Sequence, residues 1–275
     1  MGSFSYKDSF SLKGKNAVVT GAVGVLGVKF CEGLAEYGAN VAVVDLDEMQ
    51  AQSFADHLRQ KFSINAVGIG CDVSSAKEVE RMVETVVEEL GSINILLNNA
   101  ASKTTDLSAF FARFEEYSLE QWRKVMAVNI DGMFLVAQAV GKQMLKQGTG
   151  GSIIQTSSIY GILGPDQRIY EGSDYLGQTI NTPAVYAASK AGVIGLSRYL
   201  AAYWAAQGIR VNTLTPGGNF SGQNEEFIQK YSNRVPLGRM GYPKEMVGAL
   251  IYLASDASSY VTGQNIIVDG GLSSW

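Results

Sequence analysis

Ala17-Val18-Val19-Thr20-Gly21-Ala22-Val23-Gly24-Val25-Leu26-Gly27 is the stretch on which the fold turns. A short, largely β-branched run empties into three glycines, and an amphipathic segment over 25–37 follows. Period and composition predict a strand, a tight turn and a helix. Glycines at such a turn let the backbone come close to a pyrophosphate, which the uncovered N–H groups and dipole of the helix favour. Taken alone, the same residues also make an ordinary tight turn.

Working outward, the rhythm repeats. Apolar runs at 17–20, 41–44, 66–69, 93–97, 152–155, 210–214 and 265–268 are too short for helices and nearly continuous, as in strands buried on both faces. Between them lie candidate helices at about 25–37, 48–61, 76–90, 119–147, 184–207 and 243–255. Pro243 falls in a first turn, and Gly38, Gly91, Gly148 and Gly208 fall where helices end. Alternation of this kind predicts an α/β fold: one doubly wound, seven-stranded parallel sheet with helices on both faces. Without a linker or repeat, residues 1–275 read as one domain. Three stretches, about 101–117, 159–183 and 217–233, are expected to be insertions covering a substrate.

Composition narrows the function. The chain has 275 residues, 46% hydrophobic and 17% charged, with a formal net charge of −4. That balance argues against nucleic-acid binding, which needs clustered Lys and Arg. The opening MGSFSYKDSFSLKGKN lacks the apolar core of a signal peptide, and no run of about eighteen apolar residues suggests a membrane span. A cytoplasmic location is expected. Cys31 and Cys71 read as buried thiols. The single histidine, His57, lies on a helix near Asp56 and Arg59 and reads as a surface residue, leaving neither a Ser-His-Asp triad nor a His-based metal site. No metal is expected.

The second strand ends in Asp45, the distance downstream at which an acid grips the adenosine ribose. An Asp there repels a 2′-phosphate, and no Lys or Arg lies between Gly21 and Gly27, so NAD is favoured over NADP. Asp45 also reads as a strand terminus or, with Asp47, a helix cap. Cys71-Asp72-Val73 and Asn98-Asn99-Ala100-Ala101 end the third and fourth strands, on the edge where open α/β sheets bind ligands. Asp72 fits equally well as the cap of the helix beginning near residue 76.

Tyr186-Ala187-Ala188-Ser189-Lys190 places a phenol and an ammonium one helical turn apart on the same face. A free Tyr titrates near 10, and a nearby ammonium lowers that value, giving an acid/base for carbinol–carbonyl exchange. The pair alone also fits an exposed helix face.

Together, Thr20 to Gly27, Asp72, Asn98-Asn99-Ala100, Asn129, Ser157-Ser158, Tyr186 with Lys190, Pro216-Gly217 and Asp269-Gly270-Gly271 resemble the short-chain dehydrogenase/reductase family, in the family's order and over about 12–272. The resemblance implies that Tyr186 exchanges a proton with the substrate oxygen. Lys190 would lower its pKa and hold the nicotinamide ribose. Ser158 would hydrogen-bond the reacting oxygen, with Ser157 the neighbouring alternative, and Asn129 would position a relay water. It also implies a cofactor site of Gly21, Gly24, Val25, Leu26, Gly27, Asp45, Leu46, Cys71, Asp72, Val73, Asn99, Ala100, Ala101, Tyr186, Lys190, Pro216, Gly217 and Gly218. Helices 119–147 and 184–207 resemble the family's main subunit interface, so a homotetramer, or less often a dimer, is expected. Trp122 and Trp204 on them read as core or subunit contacts.

Three departures stand out. Val25 replaces the middle glycine of the family turn, which assigns the permissive backbone to Gly24. Ala101 stands where the family usually has Gly. The segment between Ser158 and Tyr186 is longer than usual.

That longer segment leaves the active-site serine and returns at the tyrosine, so it passes the pocket. It carries Asp166, Gln167, Arg168, Tyr170, Glu171, Asp174, Tyr175, Gln178 and Asn181, with little greasy surface. Hydroxyl-rich substrates need several placed polar groups, so a sugar, sugar acid or polyol is favoured over a steroid or fatty-acyl substrate. Ser158, Arg168, Tyr170, Glu171 and Asn219 are the candidate substrate contacts. Arg168 reads either as an anion ligand or as a loop residue paired with Asp166 and Glu171. Residues 217–224 resemble the family's mobile substrate loop. Two rivals are a nucleotide-sugar epimerase or dehydratase, which usually adds a C-terminal substrate domain, and a cofactor-binding regulator, for which Asn129, Ser158, Tyr186 and Lys190 would be superfluous.

Overall fold

The computed structural model describes residues 5–175 and 177–275. Its strands are β1 (Asn16–Thr20), β2 (Asn40–Asp45), β3 (Ala66–Gly70), β4 (Ile95–Asn98), β5 (Gly151–Thr156), the short pair β6 (Asp174–Tyr175) and β7 (Gln178–Thr179), β8 (Ile209–Pro216) and β9 (Asn265–Val268). All but β6 and β7 form one parallel sheet in the order β3-β2-β1-β4-β5-β8-β9. Each of the seven predicted strands is present, shifted by at most a residue or two at its ends. The order reverses at β1, which pairs with β2 on one side and β4 on the other. The connections leaving β1 and β4 therefore part company, and a crevice opens above their carboxyl ends.

The helices are α1 (Val25–Glu36), α2 (Glu48–Phe62), α3 (Ala76–Leu90), α4 (Leu107–Phe110), α5 (Leu119–Met126), α6 (Met133–Gln147), α7 (Ala184–Trp204), α8 (Glu225–Ser232) and α9 (Val247–Ala254). Local chemistry sets several ends. Asp47 and Ser75 cap α2 and α3 through the amides of Gln50 and Glu78, and Gly91 and Gly148 take the left-handed conformation that ends α3 and α6. The strands bury both faces because α1, α2 and α9 pack one side through Leu34, Leu58 and Leu250, while α3, α6 and α7 pack the other through Met82, Val140 and Trp204. At the α6–α7 crossing, a Cβ on Gly141 would stand 2.3 Å from the Trp204 ring. Trp204 is thus a core residue.

The helix expected over 119–147 is not uniform. Residues Ala127–Gly132 form a π turn between α5 and α6, a local widening that often accompanies functional side chains. By length and mean hydropathy (1.2 over its most apolar window) the composite helix Leu119–Gln147 could cross a membrane. Here its inward side chains Val136, Val140 and Met144 are buried on the sheet.

The stretches that break the rhythm have structure of their own. Residues 101–117 contain α4, and 159–183 contain the antiparallel pair β6–β7. Ile169, Tyr170, Phe227, Tyr231 and Met240 make a satellite core joining the 159–183 insertion to α8. The 217–233 stretch holds α8 and is pinned near its start: Phe220 N donates to the Gly241 carbonyl at 2.8 Å, and Gly241 N to that of Gly218 at 3.0 Å.

Candidate active site

A cavity of about 440 Å³ opens above the carboxyl edge of the sheet, between the ends of β1, β4 and β5 and the insertions. Its floor begins with the glycine turn. Gly21 adopts φ +63, and a Cβ there would lie 2.9 Å from Ala100 Cα; one on Gly27 would lie 2.1 Å from the Gly21 carbonyl oxygen. These glycines let β1, α1 and the end of β4 meet. Gly24 has φ −72 and simply precedes α1, so the expectation that it supplies a permissive backbone is corrected. Val25 is tolerated because it occupies the first helical position with its side chain 57% exposed, facing the cavity. No side chain caps α1, and its first turn holds no acid. Its early N–H groups are left for an anion from outside.

Thr20 ties β1 to β4: its hydroxyl accepts from the amides of Asn99 (2.9 Å) and Ala100 (3.1 Å) and donates to Asn98 Oδ1 (3.2 Å). Asp45 accepts from Val23 N at 3.0 Å and Leu46 N at 2.8 Å, which locks the end of β2 against the turn. It does not cap α2; Asp47 does. Asp72 does not cap α3, since Ser75 takes that place; its carboxylate instead accepts from the amide and hydroxyl of Ser74. Cys71 and Val73 are buried beside it, whereas Leu46 is exposed. Ala101 lines the cavity, as do Pro216, Gly217 and Gly218. Gly218 has to be a glycine, because a Cβ would meet the Tyr231 ring at 2.5 Å.

The chemical groups come from β5, the π turn and α7. Lys190 is buried and donates from Nζ to the Thr156 carbonyl at 2.9 Å, with the ammonium 5.9 Å from the centroid of the Tyr186 ring. Burial lowers its pKa to about 8. Tyr186 is affected in the opposite sense: desolvation raises its pKa, the Ser158 hydroxyl works against that rise, and Tyr170 adds to it. The expectation that Lys190 leaves Tyr186 with a lowered pKa is therefore corrected, because burial outweighs what its neighbours offer.

The two serines separate cleanly. Ser157 Oγ donates to the Lys190 carbonyl at 2.7 Å and pins α7 to β5. Ser158 accepts from Tyr160 N at 3.3 Å and lines the cavity with Tyr186, whose pKa its hydroxyl pulls downward. Asn129 is wholly buried in the π turn; its Oδ1 accepts from Ser102 N at 2.9 Å and its Nδ2 donates to Ser189 Oγ at 3.4 Å. Its side chain thereby holds the loop after β4 against α7.

Among the substrate candidates, Ser158, Tyr170 and Asn219 line the cavity. Arg168 and Glu171 do not, which corrects both. Arg168 turns outward and binds Asp166 through Nε and an Nη at 2.8 Å, a pairing that holds the Asp166 carboxyl down at about 2. The Glu171 carbonyl receives Lys230, and its side chain is exposed. Within the insertion Asp166 thus holds Arg168, while Tyr170 and Ile180 line the cavity with Phe110, Phe111 and Phe227 from neighbouring elements. Sequence reading missed these apolar walls, which have no motif. It named Asn181 among the insertion's polar groups but not as a contact, though it lines the cavity and its Nδ2 donates to the Phe111 carbonyl at 2.7 Å, and it missed Lys103. Lys103 keeps contact with solvent at the rim, yet its surroundings remove enough water to lower its pKa.

A family model described as enoyl-(acyl carrier protein) reductase matches residues 21–273. D-threitol dehydrogenase of Mycolicibacterium smegmatis is 36% identical over 95% of this chain and 94% of its own. NADH-dependent L-xylulose reductase of Ambrosiozyma monospora is 31% identical over 98% and 99%. Among solved structures, a gluconate 5-dehydrogenase from Burkholderia cenocepacia in complex with NADP and tartrate superposes with a TM-score of 0.85 at 33% identity, over 98% of each chain.

Proposed function

This chain belongs to the short-chain dehydrogenase/reductase family, and from that premise we propose that it uses NAD to oxidise a secondary alcohol, or reduce the matching ketone, of a sugar, sugar acid or related polyol. One observation carries the reading: Ser158, Tyr186 and Lys190 converge on one cavity beside the crevice where the strand order reverses. Sugar and polyol dehydrogenases and reductases among the relatives support the substrate class.

The residues fit a dinucleotide. The uncapped first turn of α1 suits a pyrophosphate, and the close approaches at Gly21 and Gly27 draw β1, α1 and the end of β4 together beneath it. Asp45 has carboxylate lone pairs remaining for ribose hydroxyls, and Leu46 and Asp47 beside it offer no positive charge to a 2′-phosphate. Pro216 and Gly217 would border the nicotinamide and Lys190 its ribose. When bound, the nicotinamide supplies or accepts the hydride.

In oxidation, Tyr186 takes the hydroxyl proton as the carbon-bound hydrogen leaves with its electron pair and the C=O bond forms; in reduction it returns that proton. Ser158 holds the same oxygen. Because burial keeps the Tyr186 phenol protonated at neutral pH, it stands ready as the acid for reduction. In oxidation, Lys190 must help stabilise the phenolate. We further propose a cytoplasmic homotetramer, with Phe134, Tyr199 and Tyr203 exposed on α6 and α7 where subunits would pack.

The test is turnover of NAD and NADP with a panel of alditols, sugars, sugar acids, steroid alcohols and 3-hydroxyacyl thioesters. Activity confined to the steroid or acyl compounds would refute the substrate class. In Asp45→Ala the preference for NAD should narrow roughly tenfold, the worth of one charge-assisted hydrogen bond; a wild-type enzyme preferring NADP would remove the cofactor assignment.

A further inference from the structure

We propose that Lys103 selects an acidic substrate, binding the carboxylate of a sugar acid while Ser158 and Tyr186 hold the reacting carbinol. This inference rests on the dehydrogenase reading above and narrows its substrate.

Charge is the first ground. The chain carries 26 acidic and 22 basic residues, yet the described residues that line the cavity include two lysines and no Asp or Glu. Lys190 lies deep in the site, bonded to the Thr156 carbonyl and set beside the phenol. Among the described lining residues, Lys103 is the cation at the exposed rim. Arg168, the other candidate for an anion, is bound to Asp166 and turned away.

Preorganisation is the second ground. Lys103 lies four residues beyond Asn99, and the residues on either side of it are fixed. Ser102 N donates to the buried Asn129 Oδ1 at 2.9 Å; Thr104 N donates to Ser102 Oγ at 2.9 Å, and Gln121 Nε2 to Thr104 Oγ1 at 2.6 Å. Thr104 is held at φ +64, a left-handed conformation that costs a non-glycine residue free energy. Strain maintained by a buried Asn and a buried Gln, next to a lysine that lines the cavity, is the arrangement of a ligand clamp rather than of a slack loop. Desolvation lowers the pKa of Lys103, and a charge-assisted bond to a substrate carboxylate would favour its charged form.

The test compares matched acids and alditols, D-gluconate with sorbitol and tartrate with threitol, in the full-length protein with NAD. Wild type should favour the acids in kcat/KM. Lys103→Met should raise KM for the acids roughly 10- to 100-fold, the worth of a hydrogen bond to a charged group, with kcat changed far less. Alditol KM and the NADH dissociation constant should stay put, and Lys103→Arg should recover most of the loss. Unchanged NADH binding certifies that the Met variant is folded; should that variant not fold, Lys103→Gln takes its place. Equal losses on acids and alditols, or weakened NADH binding, would overturn the role of Lys103. Wild-type preference for alditols would overturn it while leaving the polyol dehydrogenase reading intact. If no acid or alditol is turned over and calorimetry detects no gluconate or tartrate binding to the NADH-bound protein, the dehydrogenase reading fails too.

Discussion

At the scale of single residues, the site separates groups that do chemistry from groups that place them. Tyr186→Phe removes the proposed proton carrier and keeps the ring, so turnover should fall roughly a hundred- to ten-thousand-fold while NADH fluorescence still titrates. A variant retaining most of its activity would take Tyr186 out of the reaction. The two serines should diverge: Ser158→Ala lowers kcat, whereas Ser157→Ala loosens the bond to the Lys190 carbonyl and shows chiefly as lowered stability. Lys190 sets a pH dependence. Its pKa is pulled below the ordinary Lys value to about 8, so the ammonium is present below that pH and lost as pH rises through it. The NADH dissociation constant of the enzyme should therefore rise above about pH 8, and Lys190→Arg, which stays charged, should flatten the curve.

At the scale of elements, the sequence legibly announced every strand of the main sheet and the helices on both faces, because short continuous apolar runs alternate there with longer segments of helical period. It did not announce the π turn at 127–132, since one extra residue per turn leaves the apolar pattern of α5 and α6 intact. Nor did it announce α4, α8 or the β6–β7 pair, which are too short for their periods to register. Two crossings make stability predictions. Gly141→Val drives a side chain into Trp204 between α6 and α7, and overpacking of that kind costs about 1–3 kcal/mol. Chemical denaturation should show a lowered midpoint with the slope retained. Gly218→Ala strikes the Tyr231 ring instead. That change should disturb the loop proposed to border the nicotinamide, raising the dissociation constant for NADH more than it lowers the unfolding midpoint.

At the scale of the whole molecule, α6 exposes Phe134 and α7 exposes Tyr199 and Tyr203, the latter two stacked with ring centroids 5.7 Å apart. Sedimentation should find a tetramer, and Tyr203→Glu should shift it toward smaller species; a wild-type monomer would remove the proposed assembly. The sequence by itself determined the doubly wound sheet, the glycine turn and the acid/base pair. Strand and helix periods, a Gly at a strand end and a Tyr and Lys one turn apart are local facts, written within a few residues of one another. Only the tertiary structure decided which of Ser157 and Ser158 faces the reaction, that Arg168 and Glu171 turn away, and that Lys103 and Asn181 turn in. Those outcomes depend on what each side chain meets from distant parts of the chain: the Lys190 carbonyl, the Asp166 carboxylate, the Asn129 amide and the Phe111 carbonyl. Burial and pairing of this kind are settled by packing, so no neighbouring letters of the sequence record them.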